Sequence, residues 1–269
     1  MPAETFARRL RIGAVHCASR LLPTGTLARR RLRDSALVLA FHRVNDRSAG
    51  DGLTLSVRDF DAYCRFLSDH LDVVRLEDII ESLEASDPLT GQLAITFDDG
   101  YRDNFEEAAP ILERYGLPAT FFVTTDFIET NTVAPWDRDL SEPPGWMTWE
   151  QVRGLLHRGF AIGAHTMSHV DLGQVSADDA HAQIAGSQEA LREQLDTEID
   201  LFAYPFGQRA NITEENRALV REAGYRCCAS CFGGVVSART DPMSLPRMAV
   251  SSWYASPRRL AFDLALGRL

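Results

Sequence analysis

Two short stretches carry residue types whose spacing suits hydrolytic chemistry. "AITFDDGYRDN" (94–104) ends an apolar strand with Asp98 and Asp99 side by side, followed by a glycine. Neighbouring carboxylates repel each other unless a positive charge sits between or beside them. "GAHTMSHVDL" (163–172) places His165 and His169 four residues apart, about one helical turn, so a tight turn after a strand can aim both imidazoles at one point. Two histidines and one carboxylate form a facial set for a divalent metal that leaves positions open for water and substrate. One aspartate of the pair would then bind the metal, and the other would accept a proton from a water acidified by it. Alone, an H-x-x-x-H is usually coincidence and a D-D-G usually a turn. Their weight comes from occurring together at the ends of strands.

The elements that must position these groups alternate. Strands are expected at 36–44, 93–97, 119–124, 160–166 and 201–207, with short ones at 226–230 and 247–251. Between them fall helices at 56–71, 104–116, 148–159, 176–195 and 213–225. Ser56 with Asp59, and Thr148 with Gln151, stand at the positions of N-terminal caps. Apolar strands alternating with helices imply an α/β fold with parallel pairing. About seven strands favour a closed or nearly closed (β/α) barrel over an open sheet. In such a barrel the functional groups collect at the C-terminal strand ends, where Asp98, Asp99, His165 and the Pro205–Gly207 stretch all fall. The long connection 126–147, rich in proline and tryptophan, belongs to the same end and is expected to touch substrate.

The totals exclude several alternatives. A chain of 269 residues, 45% of them hydrophobic, can bury a full core, and a net charge of −10 argues against nucleic-acid binding and polyanionic substrates. Every basic residue is arginine, which removes lysine Schiff-base chemistry. Five cysteines cannot all pair within one chain, which points to a reducing compartment; Cys228 and Cys231 read as strand filler in the absence of a second C-x-x-C. The charge is segregated: residues 1–33 hold eight arginines and one acid, against 20 basic and 37 acidic residues in 34–269. Phe6, Leu10, Ala14, Cys17 and Leu21 recur at helical spacing before Pro23 and Gly25, giving a basic amphipathic helix with no signal-peptide pattern. It reads as a peripheral anchor on anionic lipid, a docking helix, or an ordinary solvated helix. The expected organisation is an extension over 1–34 and a catalytic domain over 35–269, cytoplasmic, with membrane contact through residues 1–33 at the inner face. The oligomeric state is left open.

"TFDDG" (96–100) and "HTMSH" (165–169) resemble the first two motifs of the polysaccharide deacetylases of the NodB-homology type, carbohydrate esterase family four. "AFHRV", "ITFDDGYRDNFEEAAPILERYGLPATFFVTT", "FAYPFG" and "LPRMAV" extend the resemblance over roughly 36–250. It implies a distorted (β/α) barrel and metal-dependent removal of N-acetyl groups from an N-acetylated carbohydrate. By it, Asp99, His165 and His169 would bind the metal, usually zinc, and Asp98 would be the general base. The backbone N–H of Phe206, in "YPFG", would stabilise the oxyanion.

The sequence departs from the family pattern twice. The arginine that begins the third motif is replaced by Ala203, and Arg247 in "LPRM" is the candidate to hold Asp98, with a structural or surface arginine as the alternative. The Leu-x-His of the last motif is absent. His42 in "AFHRV" is the candidate general acid, the alternative being a hydrogen-bonded core histidine. Trp136, Asp137, Trp146 and Trp149 are candidates to line a sugar site, with Trp149 equally a core residue. His16, His70, His157 and His181 read as solvated helix residues. Two further readings stay open: an amide hydrolase of the same fold on a non-glycan substrate, and a catalytically weak glycan-binding homologue.

Overall fold

The computed structural model describes residues 24–48, 51–254 and 256–268. The basic helix expected around Phe6 to Leu21 lies outside the described residues. The strands are β1 (Ser35–Phe41), β2 (Arg43–Val44), β3 (Thr54–Leu55), β4 (Asp72–Val73), β5 (Gln92–Phe97) and β6 (Thr120–Val123). They continue as β7 (Ala161–Ala164), β8 (Leu201–Ala203), β9 (Cys227–Ala229), β10 (Val236–Ser237) and β11 (Met248–Ala249). One sheet runs in the order β10-β1-β5-β6-β7-β8-β9, parallel throughout except for β10, which pairs antiparallel with β1.

This seven-strand sheet curls into half a barrel. The segment 245–249 spans its open side: Leu245 bridges β9 at Ala229, and β11 pairs with β1 at Leu39 and Ala40. Arg247 stands between those two contacts and is wholly buried.

The period-two alternation of the strands divides the apolar residues into two cores. Leu37, Leu39 and Phe41 of β1 and Leu93, Ile95 and Phe97 of β5 face the outer helices. Ala36, Val38, Ala94, Ala203 and Ala229 face inward and meet Phe122 and Leu245. Small inward side chains leave room for that one large ring. A Cβ on Gly163 would stand 2.5 Å from it, so β7 needs glycine there. Helix Leu76–Ala85, which the sequence reading passed over as a connection, joins the inner core through Leu76, Ile79 and Ile80.

The outer helices follow their sequence signals. Helix Val57–His70 buries Phe60, Tyr63, Cys64 and Leu67 at helical spacing, and Ser56 caps it by accepting the Asp59 N–H. Thr148 and Gln151 form the reciprocal cap of helix Trp149–His157. Residues 24–31, past the expected stop at Pro23, form helix Thr24–Arg31, whose Ala28 joins Leu32 in the outer core beside helix Pro257–Ala265. Its arginines, and Arg33, point to solvent. Among the described residues no helix is long and apolar enough to cross a membrane.

Candidate active site

The C-terminal ends of β1, β5, β7, β8 and β11 and the segment after β9 surround a cleft of about 390 Å³. Its lining includes His42, Asp98, Asp99, His165, His169 and Phe206. Six of the seven residues given catalytic or metal-binding roles from the sequence therefore share one cavity. The seventh, Arg247, lies beneath it.

Asp98 continues the inward-facing register of Ala94 and Thr96 off the end of β5. Its carboxylate receives Arg247 Nη1 on one oxygen and Nη2 on the other, both at 2.7 Å. The guanidinium also donates to Thr96 Oγ1 (2.9 Å) and to the Ser230 carbonyl (2.8 Å), which fixes the fork in one orientation. Burial alone would raise the Asp98 pKa, but Arg247, aided by His165 and His42, overrides it and holds the carboxylate below its ordinary range. An arginine on β8 would project into the same inner core. With alanine at position 203, the barrel-closing segment supplies it instead.

Asp99 turns the other way. Its φ of +76° places it in the left-handed region, and the Thr124 N–H donates to its carbonyl at 3.3 Å, tying the turn to the end of β6. Its Oδ1 is buried without a hydrogen-bond partner and faces His169 Nε2 at 3.2 Å and His165 Nε2 at 3.4 Å.

The His165–His169 turn is built from its own residues and from helix Ala177–Leu195. Thr166 Oγ1 accepts the His169 N–H, while Gln183 Oε1 accepts those of Met167 and Ser168. His165 Nδ1 bonds the Ala203 carbonyl at 2.8 Å, which leaves Nε2 free to face Asp99. The ligand atoms of Asp99, His165 and His169 lie within 4.8 Å of one another, a set that could hold a metal ion. A buried carboxylate oxygen without a donor, faced by two imidazole nitrogens, fits a cation. Asp99, Thr166, His169 and Phe206 all have positive φ, so backbone strain concentrates here.

His42 follows β1, with Nε2 4.0 Å from Asp98 Oδ2. Burial lowers its pKa against the raising pull of the two aspartates. Phe206 is half exposed, and its ring stands 5.0 Å from that of His169.

The candidate sugar-lining residues divide. Trp136 lines the cleft with its ring 4.4 Å from His169. Asp137 does not reach the cleft: it is buried and paired with Arg43, whose other terminal nitrogen meets Asp51. Trp146 is also buried, stacked 4.5 Å from Tyr101, and Trp149 packs on the outer core. Cys228 is core, as expected, but Cys231 lines the cleft, because β9 has already ended at Ala229.

The sequence reading missed the buried chain behind Trp136. Its indole N–H donates to the Tyr101 hydroxyl, which donates to Asp137, which accepts from Arg43. These partners are separated by tens of residues and leave no periodic signal. The adjacency of Arg43 to His42, and of Asp137 to Trp136, was the one hint available.

A family model described as polysaccharide deacetylase matches residues 86–228. The chain belongs to the polysaccharide deacetylase family. YxkH of Bacillus subtilis (strain 168) is 24% identical over 216 residues, covering 80% of this chain and 71% of that protein. The poly-beta-1,6-N-acetyl-D-glucosamine N-deacetylase of Escherichia coli (strain K12) is 22% identical, covering 80% of this chain and 36% of that protein. The fold is shared with the deacetylase PplD of Streptococcus pyogenes, solved in complex with acetate, at a TM-score of 0.72 and 24% identity; the match covers 84% of this chain and 96% of that one. By its family the chain is a polysaccharide deacetylase, a hydrolase that removes acetyl groups.

Proposed function

We propose that this polysaccharide deacetylase is metal-dependent and removes N-acetyl groups from sugar units of a glycan, using Asp98 as its general base. The observation that carries the reading is the different tethering of two adjacent carboxylates. Asp98 has both oxygens on Arg247, and Asp99 has an unpartnered oxygen facing two imidazoles.

Asp99, His165 and His169 are the residues that would hold a divalent cation, with zinc the metal best matched to two imidazoles and a carboxylate. Bound there, the cation supplies Lewis acidity toward water and the acetamide carbonyl. Asp98 takes the proton from the attacking water. Its bidentate grip by Arg247 keeps it ionised for that task and keeps it from turning toward the histidines.

The Phe206 N–H, on a turn held at φ +61°, is the donor assigned to the oxyanion of the tetrahedral intermediate. His42, across from Asp98, donates a proton to the departing amine nitrogen. The Trp136 face covers one side of the bound sugar, and the cleft falls within the usual range of small-ligand sites. The name of the Escherichia coli relative supports an N-acetylglucosamine polymer as the substrate class.

The test is acetate release from N-acetylglucosamine oligomers by zinc-reconstituted protein. Release that disappears in Asp98→Asn and after chelation supports the reading; release that survives either treatment contradicts it.

A further inference from the structure

We propose that Trp253 forms a second sugar-binding position on the rim of the cleft, taking the pyranose face of the unit next to the one being deacetylated. The enzyme then reads its substrate as a chain rather than as a single sugar. The inference rests on the deacetylase reading and deepens it.

Among the described residues four large apolar side chains are exposed: Val133, Phe206, Trp253 and Leu266. Three belong to the segments that form the cleft. Val133 lies in the loop that carries Trp136, Phe206 in the turn after β8, and Trp253 just beyond β11. Trp253 is 81% exposed, the most open of the four. A single exposed apolar residue is ordinary, but an indole this open offers a large flat face to a ligand of matching shape.

The ring is held from behind. A Cβ at Gly52 would stand 3.2 Å from the indole, so the ring lies directly against a bare backbone. That backbone is itself anchored. Asp51 accepts the N–H groups of Leu53 and Thr54 at 3.0 and 2.8 Å, and its other oxygen meets the buried Arg43. On the far side of Trp253, the Tyr254 carbonyl accepts the Tyr63 hydroxyl.

The same two segments reach into the cleft, since Leu53 follows Gly52 and Ala249 ends β11, and both line it. Trp253 is therefore an exposed aromatic face on a fixed backing, carried by two segments whose neighbouring residues line the cleft. Preorganised aromatic surfaces bind at low conformational cost, and the C–H face of a pyranose matches the electron-rich face of an indole.

The experiment compares kcat/KM for the hexamer and the dimer of N-acetylglucosamine. The wild type is expected to prefer the hexamer by about tenfold, Trp253→Ala to lose that preference, and Trp253→Phe to keep most of it. A purely structural role would lower both rates together and leave the ratio intact. An unchanged ratio in Trp253→Ala, or a wild type indifferent to length, overturns the proposal.

If no oligomer yields acetate, the deacetylase reading fails separately, and the position is read by binding. Indole fluorescence of Asp98→Asn is titrated with the hexamer. A saturable change that is clearly smaller in Asp98→Asn/Trp253→Phe, where Trp136 alone still reports from the cleft, supports the position; no saturable change, or one of undiminished size in the double variant, overturns it.

Discussion

Replacing Arg247 with methionine keeps the bulk of the side chain and removes its charge. The Arg247 side chain is fully buried and that of Asp98 is only 4% exposed, so the change strands a carboxylate away from water. It also removes the donors to Thr96 and Ser230. Breaking a buried pair from one side costs about 3–5 kcal/mol, most of it the penalty of the charge left behind.

The assay is urea unfolding at pH 7 of the wild type, Arg247→Met, Asp98→Asn and the double variant. The double variant is expected to be more stable than the two single losses would sum to, by about 3 kcal/mol, because it leaves no buried charge unpaired. The pH dependence has a definite sign. Asp98 has a folded pKa below its unfolded one, so the pair's contribution is complete above about pH 4 and disappears as the pH falls through the folded value. Without Arg247, burial dominates and lifts the Asp98 pKa, which moves the acid limb of kcat/KM upward. A loss under about 1 kcal/mol, with additive variants and an unmoved acid limb, would refute the claim that Arg247 holds the base.

Three further outcomes follow. His42→Gln should lower kcat by about 10²–10⁴-fold while leaving stoichiometric zinc binding in place, as checked by elemental analysis; a fall in KM alone would remove it as the acid. Gly163→Ala should destabilise the fold by about 1–3 kcal/mol in denaturant unfolding, because its Cβ would meet the Phe122 ring and stand 2.9 Å from the Leu201 carbonyl; a neutral result would contradict the close crossing in the barrel. Reversing the exposed Arg29, Arg30, Arg31 and Arg33 to glutamate should weaken sedimentation with anionic vesicles severalfold, and equal sedimentation would dismiss the membrane reading of the basic segment.

The strand-helix alternation was legible because the long strands carry their own apolar runs and several helices open on a capping Ser or Thr, as at Ser56, Thr148, Ser176 and Thr213. The closure of the barrel was not. Segment 245–249 makes few ladder contacts, and its assignment depends on β1 and β9, which lie far away in sequence. Helix Leu76–Ala85 carried a readable pattern in Leu76, Ile79 and Ile80, but the strand before it, β4, is two residues long with no apolar run to announce a further unit, and the helix packs into the inner core.

The clustering of Asp99, His165 and His169 beside Asp98 was readable because both motifs are local. Arg247 was reachable by asking what replaces the arginine missing at position 203. Trp253 was not reachable, since a lone tryptophan near the end of the chain gives no sign of standing in water until the cleft beside it is seen.

The most direct measurement follows acetate release and bound zinc together as zinc is added to metal-free wild type, Asp98→Asn and Asp99→Ala. The wild type should gain activity in step with one zinc per chain, Asp98→Asn should bind the same zinc without releasing acetate, and Asp99→Ala should do neither. Full activity in Asp98→Asn, or tight stoichiometric zinc in Asp99→Ala, would contradict the division of labour between the two aspartates.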